Sequence, residues 1–219
     1  MMFNSRSNPD INRKPLARLL SAVVLAAIAG FVIATAYKAL LAPLHVDDFP
    51  EELAVKAELL PVTFTLHMVS GALALVLVPL AILLSGAPRW HRPLARIAAL
   101  DVVLAGVTAF PVALVAPVTR WSAWGFAAQG VVWLVLLGLG LRHIRAGRTE
   151  AHRACMLLMA ATMTGAIFFR VYLALWAIFA QGRHYELFYA VDAWVAWSVP
   201  LGLTALVLRQ QGNRRNSAP

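Results

Sequence analysis

Along the chain, long uninterrupted apolar runs alternate with short polar segments. Six of these runs are long enough to cross a bilayer, which takes about 20 apolar residues. They lie at about Leu19–Leu41, Val62–Leu84, Leu94–Val115, Trp121–Leu141, Ala154–Ala180 and Leu187–Leu208. Backbone groups surrounded by lipid must pair within their own segment, so each run is predicted to be helical. Pro79, Pro111 and Pro200 fall inside runs and predict kinks, because each removes a helix hydrogen bond. The expectation is an all-α polytopic membrane helix bundle, one integral domain over residues 1–219, with a four-helix core from spans two to five.

Composition agrees. Hydrophobic residues make up 61% of the chain and charged ones 13%, which excludes an ordinary soluble domain. A single cysteine, Cys155, excludes a disulfide scaffold and a Cys-rich metal site. At the end of span five it reads as reduced packing material.

The distribution of Arg and Lys predicts the orientation. Most of the 19 basic residues fall in four segments that share one side. These are the N-terminal tail (Arg6, Arg13, Lys14, Arg18), the turn with Arg89, Arg92 and Arg96, the turn with Arg142, Arg145, Arg148 and Arg153, and the C-terminal tail with Arg209, Arg214 and Arg215. Positive charge marks the cytoplasmic side, so a protein of the cell inner membrane with both termini cytoplasmic is expected. The first outer loop instead carries Asp47, Asp48, Glu51, Glu52 and Glu58. Trp121, Trp124, Trp176, Trp194, Tyr172, Tyr185 and Tyr189 lie near the outer boundary and read as an aromatic belt. The net charge of +9 is thereby explained without nucleic acid, and it predicts attraction to anionic lipid on the cytoplasmic face. Ala34-Thr35-Ala36 resembles a signal-peptide cleavage site, but the apolar run continues to Leu41, so span one is expected to stay as an anchor.

Ionisable residues inside a membrane are costly and need a reason. His67 lies about five residues inside span two, followed by Ser70 and Gly71. It reads either as a packing histidine beside a glycine notch or as a ligand or proton-handling group. Arg170 is roughly 15 Å from the outer end of span five. It is expected to face the bundle interior and pair with Asp192, Glu58 or a ligand anion, with His67 in the same cavity. Asp101 in span three reads as a neutral acid, a partner to a cation or part of a proton path. His91-Arg92 and His152-Arg153 each open a helix returning outward, where free N–H groups suit propionates, phosphate or a lipid headgroup. An offset of 61 residues from His91 to His152 suggests a weak parallel repeat of two hairpins. That repeat lacks a second outer histidine; Ala128 stands opposite His67, and Gln129 is the nearest polar residue.

Residues from about 64 to 176 resemble an uncharacterised bacterial family of multi-pass membrane proteins, domain of unknown function 2306. The residues that carry the likeness are His67 with Gly71, His91-Arg92 with Ala95-Arg96, Trp133, His152-Arg153, and Phe168-Phe169-Arg170-Val171-Tyr172. The family usually has Gly where Ala95 stands and an aromatic where Ala98 stands. The resemblance implies a bundle of about six helices and no demonstrated activity. A more distant likeness, at the level of fold, is to transmembrane b-type cytochromes.

Three functions compete. A redox protein would hold heme b between His91 and His152, with Arg92 and Arg153 on its propionates, or a quinone at His67 and Arg170, and would need a redox partner. A transporter or small-anion binder would use His67, Arg170 and Asp192, with Asp101 coupling protons. A structural subunit would use its polar groups only to fasten helices. Hydrolase and nucleotide-binding motifs are missing from the sequence.

Overall fold

In a computed structural model the described residues are 13–41, 44–45 and 50–216. Arg6, Asp47 and Asp48 lie outside them. The described chain forms eight α-helices: α1 (Arg13–Leu41), α2 (Glu51–Leu59), α3 (Pro61–Leu83), α4 (Pro88–Leu114), α5 (Arg120–Arg145), α6 (Thr149–Met163), α7 (Gly165–Ala180) and α8 (Tyr185–Asn216). Five helical segments are long and apolar enough to cross a membrane, and α1 carries a shorter apolar stretch, Ala26–Leu41. The fold is a polytopic helix bundle, and it sits in a lipid bilayer with residues such as Leu83, Leu100 and Phe179 facing outward.

The core is the expected four-helix ring. Helix α3 packs on α4, α4 on α5 and α5 on α6, and α6 closes back on α3. Helix α1 lies against α3, while α8 covers α5 and α6. Small residues let these helices approach, as membrane bundles require. A methyl group added at Gly125 on α5 would stand 2.8 Å from the Ala193 carbonyl oxygen on α8.

The two central hairpins are laced alike. At the arginine-rich end, the Nδ1–H of His91 donates to the Ala81 carbonyl at 2.8 Å, and that of His152 donates to the Gly140 carbonyl at 2.9 Å. Toward the other end, the His67 Nδ1–H donates to the Ala105 carbonyl at 3.1 Å, and Gln129 donates to the Thr162 carbonyl at 3.0 Å. Gln129 thus does for α5–α6 what His67 does for α3–α4. The paired hairpins suggested by the His-Arg spacing are visible as paired bonds.

Span five is divided. The helix breaks at Thr164, whose hydroxyl bonds the Ala161 carbonyl at 2.6 Å. Gly165 then packs between α8 and α5, where an added methyl group would meet Trp197 Cβ at 2.6 Å and Gln129 Nε2 at 2.9 Å. Beyond the break α7 leaves the ring and runs along α8. The hydropathy of the segment stays high across the break, so the sequence reads as one span. The short helix α2 is a second addition. It caps the bundle at the end away from the arginine-rich turns, between α4 and α8.

Candidate functional site

The divergence of α7 leaves a cavity of about 470 Å³ in the half of the bundle that α2 covers. Its walls are mostly apolar, and include Leu75, Phe126, Met163, Phe169 and Trp197. Polar side chains break that surface on several helices: Glu52 and Lys56 on α2, His67 on α3, Ser122, Gln129 and Trp133 on α5, Arg170 on α7, and Tyr185 and Tyr189 on α8. A concave apolar space with a few converging polar groups is the usual form of a small-molecule site.

Arg170 projects from α7 and is open to the cavity. Its Nη1 donates to the Ala166 carbonyl one turn earlier in its own helix, at 2.5 Å. The guanidinium therefore points deeper into the bundle instead of reaching back toward the nearer end of the helix. Among the described residues no carboxylate pairs with it. The expected tie to Asp192 is not formed. Asp192 is 3% exposed, and neither of its carboxylate oxygens has a described hydrogen-bond partner. Arg170 takes the Ala166 carbonyl because its long side chain folds along α7, whereas Asp192 is packed away on α8. Tyr189 lies near both groups.

His67 presents its other face to the same space. A backbone carbonyl only accepts, so the bond to Ala105 fixes the proton on Nδ1 and leaves Nε2 as a lone-pair acceptor. Thr108 adds a longer contact to Nδ1 at 3.5 Å. Across the ring, Trp133 also lines the cavity. Its indole Nε1–H is covered by protein and has no described partner. Gln129 is already engaged with Thr162.

Helix α2 roofs the cavity. Lys56 is 6% exposed, and its ammonium donates to the carbonyls of Val112 at 2.9 Å and Val115 at 2.5 Å. Those carbonyls belong to the last turn of α4 and to the residue that caps it, where acceptors are otherwise left unpaired, and the negative end of the helix favours a cation there. Burial pushes the Lys56 ammonium below its ordinary 10.5. On the other side of the roof Glu52 lies beside Tyr185 and Tyr189. In sequence Lys56 looks like one more loop charge, and Tyr185 and Tyr189 look like belt residues. Only the position of α2 reveals them as parts of the cavity.

The remaining expected site residues are elsewhere. His91 and His152 fasten their hairpins at the arginine-rich end, away from the cavity lining. Arg92 and Arg153 beside them are exposed. Asp101 is half-buried on α4, and its Oδ2 has no described partner. Cys155 is a buried free thiol. Among the described residues no group of three or more His, Cys, Asp or Glu side chains could hold a metal ion.

The architecture defines a multi-pass membrane protein with an internal cavity. The chain matches, over residues 64–208, the family described as a predicted membrane protein, domain of unknown function 2306, and it belongs to that family. The match extends past residue 176, the boundary of the resemblance read from the sequence, and takes in most of α8. Nothing matches among curated proteins, and nothing among solved structures. Three residues that carry the family likeness, His67, Trp133 and Arg170, converge on one cavity.

Proposed function

We propose that the protein binds a small amphiphilic anion, its apolar body within the cavity and its charged group on Arg170. The observation that carries this reading is the guanidinium itself. It opens into an apolar-walled space inside a membrane span, and no described carboxylate neutralises it. Such a charge is expensive to maintain without a counter-ion, and a ligand anion supplies one. An apolar body adds affinity by removing its own surface, and that of the cavity wall, from water. The positive charge of the opposite turns supports a cytoplasmic arginine-rich end, which puts the cavity in the outer half of the membrane.

Titration calorimetry in lipid nanodiscs tests the reading with two soluble probes of one shape, 3-phenylpropanoate and its neutral amide. The wild type is expected to bind the anion at least tenfold more tightly, because a hydrogen bond to a charged group is worth about 1.5–3 kcal/mol. Arg170→Gln should erase that preference while the protein stays folded. Equal binding of the two probes by the wild type, or binding of neither, would sink the proposal.

A further inference from the structure

His67 offers the cavity a free base, and two contacts fix where its proton sits. The Ala105 carbonyl accepts from Nδ1 at 3.1 Å. The Thr108 hydroxyl donates its own hydrogen to the Leu104 carbonyl at 2.7 Å, so toward Nδ1, at 3.5 Å, it too can only accept. Nδ1 therefore carries the proton, and Nε2 keeps a lone pair. Nε2 has no described hydrogen-bond partner and, unlike the indole nitrogen of Trp133, it is not sealed by protein. The ring lines the cavity together with Arg170, whose charge reaches it.

The other titratable groups of the wall leave this base without a rival near neutral pH. Lys56 and Arg170 are already cationic, and Tyr185 and Tyr189 already hold their protons. Glu52 stands at the roof beside those tyrosines. Helices α1, α4, α5 and α6 add no titratable side chain to the lining, and Lys38, Glu58, Asp101 and Asp192 are outside it. With the cavity empty, protonating Nε2 would set a second cation beside the guanidinium, and like charges repel. An anion on Arg170 reverses that balance. Its charge offsets the guanidinium, and its second oxygen accepts a charge-assisted hydrogen bond from a protonated Nε2.

We infer that the anion binds together with a proton, which leaves the buffer and settles on His67 Nε2, so that the bound headgroup lies between two cations, Arg170 and an imidazolium. Proton uptake presupposes the anion site proposed above and adds its coupling to pH. By linkage the dependence runs both ways: the anion strengthens the hold of the ring on a proton, and protons raise the affinity for the anion. The bound state holds the extra proton, so affinity falls as pH rises, by about tenfold per unit where a full proton is taken up.

The test titrates 3-phenylpropanoate into the full chain in nanodiscs at about pH 7, in two cationic buffers of different ionisation heat, Bis-Tris and Tris. The difference in binding heat counts the protons taken up. The probe stays ionised throughout, since ordinary carboxyl groups titrate at about 4, so any proton goes to the protein. The wild type is expected to take up about half a proton or more per anion, with affinity falling between about pH 6 and about pH 8. The neutral amide brings no charge and should bind without a proton. His67→Asn keeps an N–H for the Ala105 carbonyl but has no titrating nitrogen, so its uptake should vanish and its pH profile should flatten. Anion binding by the wild type with equal heats in both buffers and a flat pH profile overturns the proton coupling and leaves the anion site standing. Uptake with the amide, or uptake that survives in His67→Asn, also overturns it. Binding of neither probe overturns both readings. The wild-type measurements need no variant, so a misfolded His67→Asn would not protect the inference.

Discussion

The α5–α8 contact makes a sharp prediction at Gly125. Alanine there would place a methyl carbon 2.8 Å from the Ala193 carbonyl oxygen, 3.0 Å from its carbon and 3.1 Å from its Cβ. Ordinary contacts begin at about 3.5 Å. None of these atoms is the end of a flexible side chain, so relief requires the two helices to move apart by about half an ångström or more. Overpacking of this kind costs about 1–3 kcal/mol. The higher helix propensity of alanine returns about 1 kcal/mol, so the net loss should be roughly 0–2 kcal/mol. A suitable control is Gly138→Ala, because nothing lies within 4 Å of the added methyl group and only the propensity gain applies. The two substitutions are chemically identical and on one helix, so their difference isolates the contact. Thermal unfolding in one detergent should place Gly125→Ala below Gly138→Ala by several degrees, at about 2–4 °C per kcal/mol for a chain of this size. Because Phe126 and Tyr189 line the cavity beside this contact, 3-phenylpropanoate should also bind Gly125→Ala more weakly. Equal melting temperatures for the two variants would refute the close approach of α5 and α8.

Other expectations concern the lacing and the roof. His152→Leu removes the side-chain bond to the Gly140 carbonyl and should cost about 0.5–1.5 kcal/mol in detergent unfolding, with His91→Leu doing the same through Ala81; a loss in neither would remove the staple role. With both rings acting as staples, the reduced-minus-oxidised absorption spectrum of protein from heme-supplied cells should be flat, whereas sharp reduced bands lost in both variants would assign their Nε2 atoms to heme b iron. Burial lowers the Lys56 ammonium from 10.5, so between its folded value and 10.5 the unfolded chain binds the additional proton. Wild-type stability should therefore rise with pH through that window relative to Lys56→Met and level off above it; parallel pH curves would refute the burial. Gln129→Met removes the donor to Thr162 at nearly constant volume and should raise amide hydrogen exchange around Thr164, which no change there would contradict.

The reach of the sequence differs from element to element, for physical reasons. Span positions follow from the cost of exposing polar backbone and charge to lipid, a cost that depends on composition alone, so α3, α4, α5 and α8 fall close to their expected places. The break at Thr164 depends on which neighbour receives Gly165, and a Thr-Gly pair hardly changes hydropathy. Helix α2 is short, buries a lysine and leaves Leu59 exposed, in a loop that otherwise reads as acidic, so its role over the cavity was not legible. The convergence of His67 and Arg170 was readable, because both stand at similar depth in spans that need a reason for a polar group. The partner of Arg170 was not, because depth does not determine the rotation of a helix about its axis. Asp192 illustrates the difference: it has a suitable charge near the start of span six, yet its oxygens have no described partner. Trp133 was legible only through the family likeness, since a tryptophan within a span is ordinary apolar bulk until its N–H is found without an acceptor.

The repeated lacing bears on how the protein is made. Each hairpin contains both partners of its own bonds: His67 and Ala105, His91 and Ala81 in the first, Gln129 and Thr162, His152 and Gly140 in the second. Neither needs a residue synthesised after its own second helix. As the chain leaves the ribosome, α3–α4 can therefore close as a finished insertion unit before α5 emerges, and α5–α6 can close before α8 exists. The cavity has no such independence, because Tyr189 and Trp197 come from the last helix. Two pre-assembled units thus wait in the membrane with the arginine-lined space open on one side, and the docking of α8 is the step that encloses it.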